Sequence, residues 1–205
     1  MGEESSHILA LKKQLQLSLV SIKQCNEIIK EVRNVTIPCI QSVQNLTDQY
    51  QCCTAAKLSS TTSFNFLEVK ENLLFKIAAE ISNEIIKMRN PVGKLKDCSE
   101  KIERQYEKCM LECEQCKSSV DIDCLVKKTP LYPSLSEILM WIDSIQRGIN
   151  ESYLCKKYIL DTYTPDNLQL CDTLETNWTD GDKDLLLKID ECLAFTSHFQ
   201  ELKLT

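Results

Sequence analysis

The chain has 205 residues, a mass of 23.5 kDa, a net charge of −6 and 12 cysteines. A chain of this length can bury a core unaided, and its interspersed charges offer no basic face, which argues against nucleic acid as a partner. No apolar run approaches the roughly 20 residues of a membrane span, so a membrane-spanning protein is excluded too.

The first residues, Met1 to Ser6, are polar and contain no apolar signal segment, although they fit the M-G-x-x-x-S myristoylation pattern. From Ile8 a heptad begins. Ile8, Leu15, Ile22 and Ile29 form one column, and Leu11, Ser18, Cys25 and Val32 the other. That spacing predicts an amphipathic helix of about 25 residues. Its end is expected at Asn34-Val35-Thr36-Ile37-Pro38, where β-branched residues and a proline oppose helix. A second helix over 39–58 keeps the register, placing Cys25, Cys39 and Cys53 on one stripe. Ser59 to Ser63 is a hydroxyl-rich break.

The third helix, 65–89, carries Leu67, Leu73, Leu74, Ile77, Ala78, Ile81, Ile85 and Met88 at helical spacing. It is the most apolar stretch and is expected to be the central element. Asn90-Pro91 reads as a cap followed by proline at the first helical position, opening a fourth helix over 91–117. That helix presents Leu95, Cys98, Ile102, Tyr106, Cys109, Cys113 and Cys116 on one face. After a loop at 118–133, Ser134-Leu135-Ser136-Glu137 is a capping box for a fifth helix, with Ile138, Ile142, Ile145 and Ile149 on its core face. Thr164-Pro165 starts a short sixth helix, and Asp180 or Asp182 starts the last. Trp141 is expected in the core, and Trp178, inside a sequon, near the surface. With no strand pattern, the fold class is all-α. The expectation is a disulfide-stapled array of six to seven helices in two subdomains, 1–117 with four helices and 118–205 with three, packed as one unit.

Cys109, Cys113 and Cys116 stand at i, i+4 and i+7, so all three point the same way. Zinc ligands usually converge from turns, and a thioredoxin-like C-x-x-C needs a βαβ setting that is missing here. Disulfides to other helices fit better, and the even count suits full pairing. The set is Cys25, Cys39, Cys52, Cys53, Cys98, Cys109, Cys113, Cys116, Cys124, Cys155, Cys171 and Cys192. Two bridges have a geometric basis: Cys155 with Cys171 across the Tyr163-Thr164-Pro165 turn, and Cys116 with Cys124. Four N-x-S/T sequons, at Asn34, Asn45, Asn150 and Asn177, occur among ten asparagines, which points to glycosylated, exposed faces. Together these features predict a secreted, extracellular glycoprotein, with a cytosolic chain as the competing reading.

Catalysis is poorly supplied. His7 and His198 lie near opposite ends of the chain, and no nucleophile-elbow, zinc-protease or nucleotide-binding motif occurs. Asp180-Gly181-Asp182-Lys183-Asp184 lacks the distal Glu of a calcium loop and reads as a solvated helix start. No catalytic residue, metal or cofactor is assigned.

Through Cys109, Cys116 and Cys124, then Tyr153-Leu154-Cys155 and Asp190-Glu191-Cys192-Leu193, about 90 residues resemble the secreted cysteine-rich helical insect proteins of the tsetse EP type. Cys113 and Cys171 depart from that pattern. The resemblance implies a secreted insect glycoprotein without enzyme chemistry. The expected function is therefore binding of an extracellular protein partner, or else carriage of a small hydrophobic, lipid-like ligand in an apolar helical cavity.

Overall fold

The computed structural model describes residues 2–57, 65–116 and 123–203. Among them are eight helical segments and no strand, so the chain is all-α. Three helices are long: α1 (Gly2–Ala55), α2 (Asn65–Cys116) and α4 (Leu135–Thr162). Between and after them come α3 (Asp123–Val126), α5 (Leu168–Asp172), α6 (Leu174–Thr179), α7 (Asp182–Phe195) and α8 (Ser197–Gln200).

The first two expected helices are one helix, and so are the third and fourth. Pro38 lies inside α1 and Pro91 inside α2. A proline inside a helix removes one hydrogen bond and costs about 3 kcal/mol, so something must offset it. Packing does so, because buried side chains continue on both sides of each proline. Val32, Thr36, Ile40 and Val43 are buried around Pro38, and Met88, Val92 and Leu95 around Pro91. The carbonyls deprived of a donor belong to Asn34 and Lys87, both exposed residues, so water can serve them.

The contacts divide the chain into two compact units, each drawing on segments from both sides of residue 117. Unit 1 comprises 1–30, 95–152 and 181–205, and unit 2 comprises 31–94 and 153–180.

In unit 1 the α1 stripe is buried from Leu11 onward: Leu11, Leu15, Leu19, Ile22, Cys25 and Ile29 are all inaccessible, while Ile8 at its start is half-buried. From α4, Leu135, Ile138, Ile142, Ile145 and Ile149 are buried too. Polar pins fix the edges. Gln16 Nε2 donates to the Phe199 carbonyl at 2.8 Å, and Asn26 Nδ2 donates to Asp190 Oδ1 at 2.9 Å. The capping box forms as expected, with the Glu137 amide donating to Ser134 Oγ at 3.3 Å and the Ser134 amide donating to Glu137 Oε2 at 3.0 Å. Gly181, at φ 72°, supplies the left-handed residue before α7. Asp182 is buried there and accepts from Ser152 Oγ at 3.0 Å, which corrects the expectation of a solvated helix start.

Unit 2 is built around Ile40, Val43, Ile77, Ile81, Met88, Val92, Ile159, Leu160, Leu174 and Trp178. Trp178 is 1% exposed, and its indole N–H donates to Thr36 Oγ1 at 3.0 Å, while the Lys156 ammonium lies 5.7 Å from the ring centre. Both tryptophan expectations are thereby reversed. Trp178 is core, and Trp141 is only half-buried, stacked on the exposed Phe195.

Among the described residues, Cys25, Cys39, Cys52, Cys53, Cys98, Cys109, Cys155, Cys171 and Cys192 are free thiols, so a six-bridge staple is not what holds these helices. The side chains of Cys116 and Cys124, and with them the expected bridge, lie outside the described residues. The Cys155–Cys171 bridge is not formed. Cys155 Sγ lies 3.6 Å from the Asn177 carbonyl, and Cys171 Sγ lies 3.4 Å from Tyr163 Oη. Most of these thiols are buried and serve as small apolar side chains with a weak donor. Burial pushes the Cys192 thiol up to about 12.

Candidate partner-binding surface

The site grows from the meeting of the last turns of α1 with the first turns of α2, all within unit 2. On α1, Gln49, Cys52 and Cys53 recur at i, i+3 and i+4, and Ala56, just past its end, continues the line at i+7. On α2, Phe66, Val69, Lys70, Leu73 and Ile77 recur in the same way. Each set is therefore one stripe of a helix, and the stripes face each other across a groove of about 420 Å³. Lys70 locks the helix ends. Its ammonium donates to the Thr54 and Ala56 carbonyls at 2.8 and 2.9 Å, capping two acceptors at the C-terminus of α1, where positive charge is favoured.

What distinguishes this region is the apolar area it leaves in water. Leu67 is 57% exposed, Val69 61%, Leu73 47% and Phe75 76%, all within 67–75 of α2. Isolated exposed apolar residues are ordinary, but Val69 and Leu73 line the groove itself, while Leu67 and Phe75 fall on other faces of the helix. The sequence expectation that this helix is the central element is thus corrected. Only from Ile77 onward does α2 bury its apolar positions.

A second, smaller depression lies in unit 1, at about 370 Å³. It is formed by the 128–133 loop with Trp141 and Phe195, whose rings stack 6.0 Å apart. Its rim is fixed by the Lys128–Glu137 ion pair at 2.6 Å. Lys128, together with the Ser134 amide and hydroxyl, holds the Glu137 carboxyl below the usual carboxylate range.

His198 is exposed on α8 and His7 half-buried on α1, and among the described residues no group of His, Cys, Asp or Glu is arranged to hold a metal ion. Of the sequon asparagines, Asn34, Asn45 and Asn177 are exposed and Asn150 is half-buried, each within a helix. Among the described residues no helix is long and apolar enough to cross a membrane. Periodicity had marked Leu67, Leu73 and Ile77, but it could not show that only Ile77 is covered.

The chain is all-helical, and the start of α2 leaves apolar side chains uncovered. Residues 9–197 match the family described as CA109-like, ribosome biogenesis protein C1orf109-like, and the chain belongs to that family. It is similar to the AFG2-interacting ribosome maturation factor of Mus musculus, 22% identical over 190 residues, covering 88% of each chain. The protein of that name from Homo sapiens is 23% identical over 172 residues, covering 80% of this chain and 85% of its own. The Xenopus tropicalis protein is 21% identical over 160 residues, covering 77% of each.

Family membership overturns the secreted reading. Ribosome biogenesis is work done inside the cell, so the extracellular location, the glycoprotein and insect assignments, and the extracellular partner or lipid-like ligand are all withdrawn. The resemblance to tsetse EP proteins fails with them. It rested on cysteine spacing over less than half of the chain, whereas the family match spans nearly all of it. Sequons and cysteines misled because Asn, Ser, Thr and Cys are also ordinary residues of helix surfaces and cores.

Proposed function

We propose that this protein is a ribosome maturation factor that acts by binding, with an AFG2-type protein as its partner and the α1–α2 groove of unit 2 as the contact surface. The family match over residues 9–197 carries the reading, and the relatives named AFG2-interacting supply the partner class. The exposed Val69 and Leu73 are the kind of residue that anchors an interface once desolvated. In this reading the chain works inside the cell, its thiols remain reduced, and it contributes a binding surface without catalysing a reaction.

The test is co-purification of the full-length protein with the AFG2-type protein of its own source. Val69→Asp and Leu73→Asp should each abolish capture while the circular dichroism spectrum stays helical. A charge at Leu131, beside the unit 1 depression, should leave capture intact. Capture that survives both groove variants but is lost on Leu131→Asp would move the contact to unit 1. No capture of the wild type at micromolar concentrations would refute the partner assignment.

A further inference from the structure

Two buried cysteines of unit 1 meet across two helices. Cys25 on α1 and Cys98 on α2 are both buried, and Cys25 Sγ lies 4.0 Å from the Cys98 carbonyl oxygen. Each thiol acts on the ionisation of the other. Cys109, by contrast, settles against Ser18 Oγ at 3.4 Å. The environment of the pair is also asymmetric. The hydrogen bond from Cys98 pulls the Cys25 thiol down, burial opposes this, and the Lys101 charge assists it. The same bond, with burial, pushes the Cys98 thiol far up. Cys25 is thus the better nucleophile and Cys98 the proton-bearing neighbour. Lys101 is itself held close by, donating to Gln24 Oε1 next to Cys25.

We propose that Cys25 and Cys98 form a redox-responsive pair that hydrogen peroxide closes into a disulfide joining α1 to α2 within unit 1. The thiolate of Cys25 attacks one peroxide oxygen. An S–O bond forms, the O–O bond breaks, and the departing hydroxide takes the displaced thiol proton as water. Cys98 sulfur then attacks the sulfenic sulfur of Cys25. The S–S bond forms, the S–O bond breaks, and the hydroxyl leaves as a second water with the Cys98 proton. Two electrons pass from the sulfurs to the peroxide, and two thiols with one peroxide become one disulfide and two waters. The new bond ties residue 25 to residue 98, far apart in the chain. A long span is where a cross-link restricts the unfolded state most.

The experiment treats the reduced full-length protein with stoichiometric hydrogen peroxide, alkylates it under denaturing conditions and maps the non-reduced digest. The Cys25 and Cys98 peptides should appear linked and separate again with dithiothreitol. The apparent Tm should rise by roughly 5–10 °C. Cys25→Ser and Cys98→Ala should each remove both the link and the rise. The proposal is overturned if Cys25 and Cys98 alkylate as thiols while other cysteines have oxidised, or if the link forms and the Tm does not rise. Mapping the wild type decides the matter even where a variant fails to fold.

Discussion

The two units handle the same helical pattern in opposite ways. In unit 1 the apolar stripe of α1, from Leu11 to Ile29, is buried at every turn. In unit 2 the first turns of α2 carry a stripe of the same kind, yet Val69 and Leu73 remain in water and burial begins at Ile77. Periodicity therefore identifies an apolar face without saying what covers it. In unit 1 the chain covers it, and in unit 2 the cover we propose is a partner.

The sharpest contrast lies between the two tryptophans. Trp178→Ala in unit 2 should destabilise the protein by about 3–5 kcal/mol, since it empties a fully buried site and removes the donor to the Thr36 hydroxyl, which keeps only its bond to the Val32 carbonyl. Trp141→Ala in unit 1, at a half-buried site, should cost clearly less. Urea midpoints at constant m-value measure both. Equal costs would contradict the reversal of their expected roles.

A smaller effect is expected at the start of α4. Ser134→Ala removes one side of the capping box and should cost about 1 kcal/mol, read from the same urea curves. Its partner brings a pH dependence of definite sign. The folded-state pKa of Glu137 is depressed, so its contribution is complete above its unfolded value and is lost as pH falls through the lower folded value. Glu137→Gln should therefore lower the Tm at neutral pH, with the gap to wild type closing below pH 4.5, the ordinary carboxylate value. A gap that persists in acid would mean that the ion pair with Lys128 is not its source.

The smallest expected change in stability falls in the groove. Val69→Ser alters a groove side chain that is 61% exposed and should shift stability by no more than about 0.5 kcal/mol in either direction. Partner capture should nevertheless be lost. A large loss of stability would show instead that the chain itself covers Val69.

Much of the architecture was legible in the sequence because helix formation leaves a local signature. The α1 heptad, the capping box at Ser134 and Glu137, and the start of α7 at Asp182 all stand as read. The prolines did not, since whether Pro38 breaks a helix depends on how much packing continues past it, and that packing comes from distant residues. Trp178 makes the same point. Its neighbour Asn177 is exposed, and a turn of about 100° along the helix carries the indole to Thr36, 142 positions away. The cysteines were read through their number, but their state follows from where each sulfur sits and which compartment holds the protein. By itself, then, the sequence determined that the chain is helical and where its apolar faces run. Tertiary structure decided which of those faces stay in water, because covering a face is a long-range contact that no local pattern encodes.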